Sequence, residues 1–239
     1  MLTGFLQLAS QDIRKISSTK QHTLGSVGVT RDGRVYRYAL AGGSTLAPGK
    51  LNVAATVDSN VTNKTVAATV AAGAMQVVID AGAAIAANAY ADGTLNINDA
   101  AGEGISYLVR GNSATGGAAE LTVDLAEPVT VGLTVDVSEA TLTKNPWGDV
   151  VISATDQADM PVGVANVSLT NAYYGWVQTR GVCAVLADEA ITAGSAVVTG
   201  SGVAGAVETK DTDDVVAVVG VALVAGVDTE YREVFLTID

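Results

Sequence analysis

The sequence predicts an all-β protein, a β-sandwich or β-barrel-like body of short antiparallel strands, and three observations lead there. Runs of Val, Thr, Ile and Leu alternate apolar with polar residues and are cut repeatedly by Gly, Asn and Asp, the pattern of half-buried strands joined by tight turns. There are 26 glycines but only 4 prolines, which suits turns that need a positive φ rather than a stiff linker. The chain is 49% apolar, yet that share is mostly Ala and Val, with 2 Phe, 2 Trp and 7 Tyr, so thin cores of small branched side chains are expected. Its 239 residues suffice for one large all-β domain or two small ones.

The first clear element runs Gly28-Val29-Thr30-Arg31, Asp32-Gly33, Arg34-Val35-Tyr36-Arg37-Tyr38, and an Asp-Gly pair between alternating runs predicts a hairpin. Its second strand sets Arg34, Tyr36 and Tyr38 on one face, an aromatic face ready for contact, and Val35 and Arg37 on the other. Ala47-Pro48-Gly49 marks a turn. From there to about residue 91 the β-branched spacing over Val53–Val70 and the run Met75–Ile79 favour strands, while Ala83–Ala91 fits one or two helical turns. Short strands follow at Thr94–Ile97, Ile105–Val109, Leu121–Leu125, Val129–Val137 and Val150–Ser153. Leu-Thr-Val-Asp occurs at Leu121 and again at Leu133, the offset of neighbouring strands but too short to establish a repeat.

The chain turns at Asn145-Pro146-Trp147-Gly148, where a change of subdomain is plausible, and Met160-Pro161-Val162-Gly163 reads as an irregular connection. The last section alternates strands and turns and ends in a strand with Val234, Leu236 and Ile238 on one face. The expected organisation is a basic N-terminal arm and hairpin over 1–50, a β-rich domain over 51–165 and a small barrel-like domain over 166–239.

Charge is divided sharply. Residues 1–50 hold seven of the 13 Lys and Arg but only Asp12 and Asp32 as acids, a net +5, whereas the remainder carries −17 of the total −12. An extended basic arm on an acidic body fits an acidic protein surface, the body of a neighbouring copy included. Nucleic acid is the other obvious anion. It is disfavoured by the acidic body and by an arm whose only aromatics beyond the opening residues are Tyr36 and Tyr38. The opening MLTGFLQLAS has no basic residue before its short apolar stretch, so no secretory signal is expected. Gln76, Asp80 and interior glycines count against a membrane span over Thr65–Ala87.

Chemistry-bearing motifs are sparse. The lone histidine, His22, stands in the basic arm and reads as solvated; Cys183 sits in the apolar run Val182–Leu186 and reads as a core residue. No G-x-S-x-G, Walker loop, H-E-x-x-H or paired C-x-x-C occurs. Gly200-Ser201-Gly202-Val203-Ala204-Gly205 has the G-x-G-x-x-G spacing, but no long amphipathic helix follows, so a glycine-rich β-turn is expected and no cofactor. Two acidic groups, Asp211 with Asp213 and Asp214, and Asn96 with Asn98, Asp99 and Glu103, lack EF-hand spacing and read as solvated turns.

Several motifs together resemble those of proteins encoded beside tailed-bacteriophage major capsid proteins: the Asp32–Tyr38 segment D-G-R-V-Y-R-Y, Asn145-Pro146-Trp147, Pro161-Val162-Gly163-Val164, Tyr174–Thr179 as Y-G-W-V-Q-T, and Val219-Gly220-Val221-Ala222. The resemblance spans residues 20 to 239. It implies a capsid cement or decoration protein, a non-enzymatic β-rich clamp on the outer surface of the phage head that joins capsomers of the major capsid protein. Repeated engagement across a symmetric shell would supply avidity, and small clamps on two-fold or three-fold positions imply a dimer or, preferably, a homotrimer. The residues expected to make contact are Arg14, Lys15, Lys20, Arg31, Arg34, Tyr36, Arg37 and Tyr38. A head-fibre, tail or receptor-binding adhesin component is the alternative.

Overall fold

The hairpin forms around Asp32-Gly33. The Thr30 N–H bonds the Arg34 carbonyl at 3.0 Å and the Gly33 N–H bonds the Thr30 carbonyl at 2.9 Å, with Gly33 at φ 83°, a three-residue loop closed by a glycine in the left-handed region. The computed structural model describes residues 5–157, 159–212 and 215–239. The protein is all-β, with no α-helix among these residues, and no helix there is long and apolar enough to cross a membrane. It divides into two compact units, Met1–Ala55 with Pro146–Asp239, and Thr56–Asn145.

The first unit opens with β1 (Leu6–Leu8), β2 (Val27–Thr30), β3 (Val35–Leu40) and β4 (Leu51–Val53). The second comprises β5 (Lys64–Thr65), β6 (Gln76–Ala81), β7 (Thr94–Asp99), β8 (Ser106–Asn112), β9 (Ala119–Leu125) and β10 (Glu139–Thr143). The first then resumes with β11 (Val151–Ile152), β12 (Pro161–Ala165), β13 (Tyr174–Leu186), β14 (Ala196–Thr199), β15 (Val207–Thr209), β16 (Gly220–Ala222) and β17 (Tyr231–Thr237).

The second unit is a nearly closed barrel in the order β5-β10-β7-β8-β9-β6. A Val66–Ile79 bridge and the bond from the Ala67 N–H to the Val78 carbonyl, 2.8 Å, join its ends, so little sheet edge is left unpaired. Alternation supplies its core: Val77 and Ile79, Leu95 and Ile97, and Leu121, Val123 and Leu125 all point inward. Two expectations fail here. Val129–Val137 is not a strand: Val129 and Leu133 plug the core from an irregular segment, and Asp136 turns left-handed at φ 58°. The second Leu-Thr-Val-Asp therefore has no strand role. Ala83–Ala91 forms separate turns rather than helix, interrupted by Asn88 at φ 58°.

In the first unit the main sheet runs β1-β2-β3-β13-β17-β16-β14-β15, with β12 pairing both β13 and β4, and β4 pairing β11. The long strand β13 is its spine. Along one side β12 pairs with Val177 and Gln178, and from Arg180 onward β17 takes over. A bulge against β3 between Gln178 and Arg180, followed by Gly181 at φ 90°, lies at the exchange. The cores are mostly Val and Ala, as expected, apart from an aromatic one built by Leu8, Ile13, Tyr36, Tyr38 and Trp176.

This arrangement corrects the expected organisation. The chain passes between the units at Ala55/Thr56, near the expected division at 50, and at Asn145/Pro146, at the expected turn. There is no division at 165, and residues 1–50 are not a separate part, because β3 and β4 pair with strands from the C-terminal part. No extended arm is found among residues 5–50: β1 pairs in parallel with β2, and Leu8 and Ile13 lie in the aromatic core. Met160–Gly163, expected to be an irregular connection, runs into β12, a strand buried along its whole length, with proline at the first position, where a missing N–H is tolerated.

Asp239 straps this sheet together. Its carboxylate accepts from Arg37 Nε at 2.6 Å and Nη2 at 2.7 Å, and from Thr179 Oγ1 at 3.3 Å, tying β3 to the end of β17 across β13. Arg37 also donates to the Gly25 carbonyl and lies 4.8 Å from the Trp147 ring centroid. The Arg37 hydrogen bonds hold the Asp239 carboxyl below its ordinary value of 3.8. A depressed folded value means that stabilisation is complete well above 3.8 and is lost as pH falls through the folded value. Replacing Asp239 with Asn should cost about 1–2 kcal/mol at pH 7. In urea unfolding at a series of pH values, the gap between wild type and variant should close below the unfolded carboxyl value.

Candidate interaction surface

The chemistry-bearing residues are engaged within the fold. Cys183 is buried, its Sγ donates to Asn166 Oδ1 at 3.5 Å, and burial pushes its thiol up to about 12, which keeps it protonated at neutral pH. His22 is not a solvated arm residue: it is half-buried, edge-on to Tyr38 at 5.0 Å and 5.5 Å from Trp176. The Gly200–Gly205 segment joins β14 to β15 and wraps a carboxylate of its own chain. Gly202 N–H bonds Asp188 Oδ2 at 2.6 Å, and a Cβ on Gly200 would meet that oxygen at 2.7 Å. Close approach of Asp188 thus explains Gly200 and Gly202, while Gly205 turns left-handed at φ 79°.

Asn96 and Asn98 bond one another, Asn63, Ser106 and Thr141, while Asp99 caps the Ala100 N–H. Asp213 and Asp214 lie outside the described residues. Among those described, no three His, Cys, Asp or Glu gather closely enough to hold a metal ion.

The eight residues expected to contact a partner separate into four groups. Tyr36 and Tyr38 are buried, 0% and 3% exposed: the alternation is right, but their face turns inward onto Ile13 and Trp176. Arg37 is spent on Asp239. Lys15 pairs with Asp12 at 2.7 Å, and Lys20 and Arg31 are exposed. Arg14 and Arg34 converge on one cleft of about 550 Å³, together with Asn166, Gln178, Cys183 and Tyr231.

That cleft has a clear origin. Past Arg180, β3 no longer flanks β13, and the Pro48-Gly49 turn returns to it only at Leu186, whose N–H bonds the Gly49 carbonyl at 2.9 Å. The notch between is floored by a closed network. Gln178 Oε1 accepts from Tyr36 Oη at 3.2 Å and Asn166 Nδ2 at 2.9 Å, and Gln178 Nε2 donates to the Arg180 and Val182 carbonyls at 3.1 and 2.9 Å.

Beside the notch the outer sheet face carries an apolar row. Val182, Phe235 and Val221 align in register across β13, β17 and β16, and they are 42%, 38% and 38% exposed. The next row is Ala184, Glu233 and then Leu223, whose N–H bonds the Glu233 carbonyl. With strands about 4.8 Å apart, the row is roughly 10 Å wide, a rigid strip suited to burial against another surface. No protein-family model, curated protein or solved structure matches the chain.

Sequence reasoning missed this strip. Its signal was available: in the final strand Phe235 holds an outward position where a polar residue is the ordinary choice, between the inward Val234 and Leu236. Val182 was hidden because its whole apolar run read as core.

Proposed function

We propose that the chain is a virion structural protein, a cement or decoration protein on the outer surface of a tailed-phage head, where it stabilises contacts between capsomers of the major capsid protein. It acts as a homo-oligomer, a trimer in preference to a dimer, and catalyses no reaction. The observation that carries this reading is the uncovered Val182–Phe235–Val221 row on a rigid sheet, which joins the sequence motifs resembling phage head proteins. A flat strip fixed by three paired strands loses little conformational entropy on docking, and weak individual contacts repeated over a shell sum to firm attachment.

The test is co-sedimentation of the purified protein with expanded heads assembled from the coat protein of its own virus. Saturable binding at a fixed ratio to coat protein, with heads that then resist heat better, is the expected result. Phe235→Ser should weaken it by about tenfold or more, on the scale of one lost interfacial aromatic. Absence of wild-type binding overturns the reading, and binding to host cells instead would identify an adhesin.

A further inference from the structure

We infer that the notch beneath Arg14 and Arg34 is a receptor for an acidic, extended peptide segment of the coat protein, with one carboxylate seated between the two guanidiniums. This rests on the cement reading for its source of ligand. The lining holds two cations and no carboxylate, in a chain with 25 acids for 13 bases. Arg14 makes no ion pair or side-chain hydrogen bond among the described residues. Arg34 uses Nε on Asp32 at 2.8 Å, which leaves its Nη groups without a partner there.

The Arg34 side chain is also placed in advance. Its stem lies against Gly181, where a Cβ would come within 3.0 Å of Cγ, and its guanidinium sits 5.9 Å from the Tyr36 ring centroid. Guanidinium forks match a carboxylate in two-point geometry. The floor is neutral, its Gln178 and Asn166 oxygens already accepting hydrogen bonds, and among the described residues the carboxylate bonded to these guanidiniums is Asp32, on Arg34 Nε and outside the lining.

A polypeptide is favoured over nucleic acid by the walls. Tyr231, Pro48, Val182 and Ala184 flank the cations, and Val182 continues directly into the apolar row. Phosphate backbones are held through many cationic contacts, whereas one acid between small apolar residues satisfies this lining.

The first measurement is an NMR titration of the full-length ¹⁵N-labelled chain with an N-acetylated, C-amidated Gly-Ala-Glu-Ala-Gly peptide and its Gln counterpart. Saturable shifts at Gly49, Cys183, Ala184 and the Arg34 side chain are expected with the Glu peptide, at least fivefold weaker with the Gln peptide, and absent in the Arg14→Gln/Arg34→Gln variant. An equal response to both peptides, or none, overturns the acidic specificity. The second is head sedimentation of the same variant after its spectrum has shown a folded chain. A tenfold or greater loss of affinity, with a flatter salt dependence, is expected. Unchanged binding overturns the inference while the cement reading stands. Failure of the wild type to bind heads overturns the cement reading and the coat protein as source, and the peptide titration still decides the specificity.

Discussion

Gln178→Leu should lower the stability of the first unit by about 3 kcal/mol, because it strips hydrogen bonds from the buried Tyr36 hydroxyl and from the part-buried Arg180 and Val182 carbonyls while changing side-chain volume little. Gln178 is fully buried and stands where β13 exchanges β12 for β17. At that exchange the ladder is interrupted, and the Gln178 amide supplies the donors that the Arg180 and Val182 carbonyls receive. Its oxygen meanwhile satisfies the Tyr36 hydroxyl and the Asn166 amide. Burial pushes the Tyr36 phenol up to about 12, so that hydroxyl remains a neutral donor through the physiological range. Urea unfolding followed by tryptophan fluorescence reads the effect, and Tyr36→Phe, which removes one donor, should cost only about 1 kcal/mol. A Gln178→Leu protein within 1 kcal/mol of wild type would show that solvent reaches these groups and that the network is not the joint of the sheet.

What could be read from the sequence was local and what could not was relational. The Asp32-Gly33 hairpin, the barrel strands around Leu95, Tyr107 and Leu121, and the inward Val234 and Leu236 all follow from turn chemistry and period-two alternation. Both act within a few residues. Which face of a strand is covered depends on segments distant in sequence. Alternation grouped Arg34, Tyr36 and Tyr38 correctly, but nothing local to them reveals that Leu8, Ile13 and Trp176 close over the tyrosines. The same holds for Arg37, whose partner Asp239 lies 202 residues away. Of the proposed contact residues, Arg14 and Arg34 reach a common cleft only because β3 stops short of the full length of β13. A composition-based arm could not anticipate a basic segment folded into a sheet.

Trp176→Ala should be the most damaging single change, costing about 3–5 kcal/mol as a large aromatic is deleted from a closed core. The ring is 5% exposed, edge-on to Tyr38 at 5.2 Å, and so close to β2 that a Cβ on Gly28 would meet it at 3.0 Å. The loss should not stay local. Leu8 and Ile13 share this core, and together with the short β1–β2 ladder they fasten residues 6–14 to the sheet. Ile13 is flanked in one short 3-10 turn by Asp12 and Arg14, so the indole indirectly positions one of the two cations over the notch. Limited proteolysis should therefore cut the Trp176→Ala protein within residues 6–20 at conditions that leave the wild type intact. Its affinity for the Glu peptide should fall although no residue lining the notch has changed. Trp176→Phe should restore both properties in large part, since a smaller ring still fills most of the space. If Trp176→Ala weakened the fold but left residues 6–20 protected and peptide affinity unchanged, Arg14 would be held by other contacts and the link from aromatic core to notch would be broken.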